Sequence, residues 1–140
     1  MNKVVSRLLI FFVGIPAIIC LVCLKSYNHL ALHIALCLVS CIAANELYSI
    51  FAAKNPQMPK PLIICCTVFI PLVASLQSVL PAFTGVPFLG GQEIITYSFI
   101  ISFLIILTYE VFTAKSFESS NVRLSQSFFI VMYAGYLITF

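Results

Sequence analysis

The chain has 140 residues, of which 62% are hydrophobic and only 8% charged, with 13 Phe and a mean hydropathy of +1.15. Globular domains run near about 45–50% apolar and about 25% charged, and so few charged residues cannot coat the surface of a water-soluble domain. The composition excludes that class and makes lipid the main solvent. The net charge of +3 is spread thinly, in basic pairs too sparse for a nucleic-acid surface.

Five apolar segments follow in chain order: Leu8–Leu24, Leu30–Phe51, Leu62–Leu80, Ile94–Phe112 and Gln126–Phe140. Crossing about 30 Å of hydrocarbon at about 1.5 Å per residue takes about 20 residues. The first four segments qualify, the first with help from its flanks, and the fifth is short by roughly one turn. Backbone groups cannot go unpaired in lipid, so each span is expected to be α-helical. Pro16 and Pro71 fall inside spans, where prolines are tolerated as kinks. The expected fold is an all-α, polytopic helical bundle of about five transmembrane helices, forming a single domain over residues 1–140.

The start MNKVVSR before an apolar run mimics a signal peptide, but no small-x-small cleavage site follows, so the segment is read as the first anchor. Cys20 and Cys23 form a C-x-x-C inside that anchor, where apolar surroundings make thiols inert. Cys37, Cys41, Cys65 and Cys66 also lie inside spans and are read as small packing residues. His29 and His33 have an i, i+4 spacing that can chelate a metal. The same face continues through Cys37, Ser40 and Ala44, a small, weakly polar stripe of the kind that packs helices in membranes, and the packing role is favoured. Leu80–Gly91, LPAFTGVPFLGG, reads as an outer loop or short re-entrant turn. Its Gly90–Gly91 pair lacks the spacing and the Lys-Ser/Thr of a phosphate loop.

Charge sets the orientation. Lys3 and Arg7 precede the first span, Lys54 and Lys60 lie between the second and third, and Lys115 and Arg123 between the fourth and fifth. The alternate loops hold only Lys25 in one, and Glu93 without a cation in the other. The positive-inside rule therefore places the N-terminus in the cytoplasm. Two carboxylates remain within spans, Glu46 in AANELYSIF and Glu110 in ILTYEVF, both near the cytoplasmic ends. Ionisable groups within a membrane are candidates for function because burying them is costly. Glu46 has Arg7 or Lys60 as ion-pair partners and Glu110 has Lys115 or Arg123, with contact to substrate or ion as the alternative role. The chain has no Asp and its four Glu residues are far apart in sequence. No close carboxylate pair is therefore available for the metal-assisted phosphoryl chemistry that nucleotides require.

Three stretches carry a resemblance. RLLIFFVGIP places Pro16 nine residues after Arg7, AANELYSIF closes the second span, and Tyr133-Ala134-Gly135-Tyr136-Leu137 lies in the last. In this order they resemble the N-terminal half of phosphatidate cytidylyltransferases (CDP-diacylglycerol synthases). That family begins with an Arg-Leu-(apolar)-Pro helix and an Ala-x-x-Glu-aromatic/Leu segment, and has a Tyr-x-Gly-aromatic-Leu pattern in a middle helix. The resemblance implies a nucleotidyltransferase of phospholipid biosynthesis, multi-pass in a bacterial inner membrane and typically dimeric. Such an enzyme condenses CTP with phosphatidic acid into CDP-diacylglycerol and pyrophosphate, using a divalent cation such as Mg²⁺. The family's catalytic motifs are an Asp-x-x-Ala-Tyr segment, a Ser-Pro-Lys-Lys-Thr-like segment and a terminal His-Gly-Gly-x-x-Asp-Arg-x-Asp stretch. None occurs here, so no catalytic residue is carried over. Arg7, Pro16, Glu46 and Tyr133–Leu137 are carried as scaffold or lipid-facing positions.

The run FFIVMYAGYLITF reaches Phe140 without a charge or polar tail. With the missing motifs, it leads to the expectation of a membrane half whose nucleotide and metal sites lie in a separate or missing half, inactive alone. A small non-enzymatic membrane subunit or a transporter fragment is the alternative.

Overall fold

The computed structural model describes residues 12–14, 16, 19–20, 23, 29–55, 57–85, 93–114 and 116–139. The expected first span is therefore described only at scattered positions, helical where described, with Pro16 exposed. Arg7 and Lys115 lie outside the described residues. Over the described residues the chain is all-helical. Helix α1 runs Leu30–Ala52, α2 Lys60–Thr84, α3 Glu93–Thr113 and α4 Phe117–Ile130. A π-helical turn, Val131–Tyr136, and a last short helix α5, Leu137–Thr139, continue α4 without a break.

Three of these helices are long and apolar enough to cross a membrane: Leu30–Ala52, Lys60–Pro81 and Glu93–Thr113. Their polarity is arranged inside-out. Ser40, Thr67, Ser98, Ser102, Ser127 and Glu110 are buried, while Ile34, Leu38, Val39, Ile42, Leu104 and Val111 are exposed. A helix apolar all round with small polar residues inward fits a lipid surround, where small residues let helices approach and hydroxyls bond across. On α3 the inward stripe is Ser98, Ser102, Ile106 and Glu110, at four-residue spacing. Ser102 Oγ donates to the carbonyl of Cys66 at 3.1 Å, bonding α3 to α2.

Helix α2 lies at the centre. Its Ile63, Cys66 and Ile70 meet Ile106 of α3, Ala44 of α1, and Ile130, Val131 and Ala134 in one buried cluster. Pro59 precedes α2 and Pro61 opens it, a place where a missing N–H is harmless. At the other end α2 continues through Pro81 to Thr84, so the expected loop starts five residues later than Leu80–Gly91 implies, at Gly85. Gly85, at φ 68°, ends it with its N–H bonded to the carbonyl of Pro81 at 2.9 Å. The left-handed conformation there favours glycine, which has no Cβ.

The last helix also differs from expectation. It begins at Phe117 rather than Gln126, so a polar stretch, FESSNVRLSQS, forms its first turns. Ser116 is the extended residue before it, at φ −148° and ψ 146°, and its carbonyl accepts from the Ser120 N–H. Glu118 stands in the first turn, where the helix dipole favours an acid. The added turns are polar, and this helix is not among the helices found long and apolar enough to cross a membrane. Aromatic rings then divide the helix. Phe128 and Tyr136 meet Phe99 of α3, with Tyr136 at 4.9 Å, while Phe129 stacks on Tyr133 at 5.8 Å and meets Phe51 of α1 edge-on at 5.9 Å.

Candidate functional site: a polar cluster at the basic end

The connection after α1 and the connection after α3 come together at one end of the bundle. Asn55 from the first, and Ser116, Glu118, Ser119 and Val122 from the second, line one open cleft of about 250 Å³. Lys54, Lys60 and Arg123 belong to this end, which the charge reading assigns to the cytoplasm.

Local sequence explains how the cluster is held. Residues 53–59 include two prolines and leave α1 in a short turn, with the N–H groups of Lys54 and Asn55 both bonded to the carbonyl of Phe51 at 3.1 Å. The turn folds back so that Met58 is buried. The Tyr48 hydroxyl, one turn before the end of α1, donates to the Met58 carbonyl at 2.9 Å. The side-chain amides of Gln57 and Gln126 hydrogen-bond, tying the same turn to α4.

Among the described residues Glu110 is the most deeply buried charge. Its side chain is 4% exposed, and Oε1 accepts from Arg123 Nη2 at 2.7 Å. Glu110 sits near the end of α3 and Arg123 on the second turn of α4, so the helical hairpin around Ser116 brings them face to face. Of the two partners named for Glu110, Arg123 makes the pair, and Lys115 lies outside the described residues. The pair is single-ended. Glu110 Oε2 and Arg123 Nε are buried with no protein partner, as are Gln57 Oε1 and Ser127 Oγ. Buried polar atoms left this way are places for ordered water, since an unsatisfied group costs about 1–3 kcal/mol.

Glu46 does not join the cluster. It is exposed and forms no ion pair with a described residue. Lys60 Nζ instead lies 5.9 Å from the centre of the Tyr48 ring, so the Glu46–Lys60 pair is not made. Two residues apart on α1, Glu46 and Tyr48 point about 200° apart around a helix, and Lys60 is on the side of Tyr48. The Arg7 alternative lies outside the described residues.

The Tyr133–Leu137 motif is remote from the acid–base pair and divides between two environments. Ala134 and Gly135 are buried, Tyr133 and Leu137 are exposed, and Tyr136 is half-buried against Phe99. The motif coincides with the π turn. A Cβ at Gly135 would stand 2.9 Å from the Thr67 carbonyl oxygen and 2.9 Å from Ile70 Cδ1.

The cysteines do not gather: Cys20, Cys23 and Cys65 are exposed and Cys66 is buried in the core. His29 stands outside α1 in a left-handed conformation, φ 62°, so the His29–His33 spacing is not that of two helical residues. Ser40 and Ala44, farther along the stripe, are buried at the helix contact. Among the described residues no group of three His, Cys, Asp or Glu side chains lies together. The described residues do not fit the divalent cation implied by the resemblance: Glu110 is committed to Arg123, and Glu46 and Glu118 are exposed.

Gln57, Gln126, Ser127 and Tyr48 were not singled out from the sequence. Gln126 and Ser127 follow Arg123 by three and four residues, which on a helix is the same face, and that spacing was a usable signal. A scan of protein-family models, a search of curated proteins and a search of solved structures each return no match to the chain.

Proposed function

We propose that this chain is the membrane half of a phosphatidate cytidylyltransferase, a five-span scaffold with its N-terminus in the cytoplasm of a bacterial cell. In this reading the phosphate of phosphatidic acid attacks the α-phosphorus of CTP, yielding CDP-diacylglycerol and pyrophosphate. The CTP and Mg²⁺ sites are supplied by residues outside these 140, and a homodimer is the working assembly. Among the described residues, the charged side chains at the basic end are occupied with holding helices together or stand in solvent, which suits a scaffold rather than a reaction centre.

The observation that carries the reading is the order of Arg7–Pro16, Ala43–Tyr48 and Tyr133–Leu137 along the chain. The seating of Gly135 against α2 gives the last of these a structural reason. A glycine in that pattern lets two helices touch backbone to backbone, a scaffold role.

The test is direct. The purified chain, given labelled CTP, phosphatidic acid and Mg²⁺, is expected to form no CDP-diacylglycerol. Co-expression with a C-terminal half bearing the Asp-x-x-Ala-Tyr and His-Gly-Gly-x-x-Asp-Arg-x-Asp motifs is expected to restore synthesis. Turnover by the chain alone overturns the division of labour. Failure of every such half to associate with it or restore synthesis favours a non-enzymatic membrane subunit or a transporter fragment.

A further inference from the structure

We draw no further inference here: the strongest candidate, the groove between α1 and α2 lined by His33, Cys37 and Ser75 among leucines, is an unpartnered and largely apolar face, and nothing in the structure shows what covers it.

Discussion

Gly135 lies against the main chain of Thr67: a Cβ placed on the glycine would be 2.9 Å from the Thr67 carbonyl oxygen. Two sequence features make this approach possible. Pro71, four residues after Thr67, has no N–H to offer that carbonyl, so the α2 ladder is open at this point. The π turn at Val131–Tyr136 places Ala134 and Gly135 together on the buried side. The glycine Cα–H then faces an oxygen that its own helix cannot satisfy, a contact of the kind that recurs between closely packed helices.

Gly135→Ala is therefore expected to destabilise the bundle by about 1–3 kcal/mol, the usual cost of overpacking. The obstacle is backbone, so trimming Ile70 to Ala in the same chain is not expected to recover the loss. Resistance to denaturant in detergent, followed by helical circular dichroism, measures both. A Gly135→Ala chain as stable as the parent would show that the α2 contact is looser than described.

The Glu110–Arg123 pair makes a second, sharper expectation. Removing one member of a buried pair leaves the other charged and unmatched, at a cost of about 3–5 kcal/mol. Arg123→Ala is expected to fall in that range, while an apolar replacement of both residues, Glu110→Leu with Arg123→Met, is expected to be close to neutral. The comparison separates stability from function. If the double variant folds yet loses every activity of the assembled protein, Glu110 and Arg123 do more than join α3 to α4.

How much of this was readable beforehand depended on the physical signal each part leaves. Helices α1, α2 and α3 were legible to within a few residues because a long apolar run has no alternative in lipid. The first half of α4 was not, since FESSNVRLSQS loses hydropathy, and only Ser116 before Glu118 marks a helix start there. Glu110 and Arg123 were legible as a possible pair because a short hairpin joins their helices. The Gln57–Gln126 bond was not, because it joins residues 69 apart through a fold that local pattern does not specify. The π turn left no signal separable from ordinary helix.

Tyr48 offers a test of how firmly the basic end is built. Its hydroxyl bonds the Met58 carbonyl while its ring carries Lys60. Tyr48→Phe removes the hydrogen bond but keeps a ring for the cation, and is expected to cost about 1 kcal/mol. The loss should be local. Proteolysis at Lys54 is expected to quicken several-fold, with little change in the midpoint of global unfolding. A fall in global stability with no change in cleavage at Lys54 would mean that the 53–59 turn is not held through Tyr48.

The orientation can be examined with thiol labels, because the two ends of the bundle are well separated along α2. Asn55 precedes α2 at the basic end and Gly85 closes it at the other, 25 helical residues apart. At about 1.5 Å per residue that length exceeds the roughly 30 Å hydrocarbon core. In a background with the six native cysteines replaced, Asn55→Cys is expected to react with a membrane-impermeant maleimide only after the cells are opened. Gly85 has φ 68°, so a side chain there is strained, and exposed Thr84 is the better outer reporter. Thr84→Cys is expected to react in intact cells. Reversal of both results would put Lys54, Lys60 and Arg123 outside, contrary to the positive-inside rule, and would remove CTP, a cytoplasmic nucleotide, from reach of the end where the proposed transferase needs it.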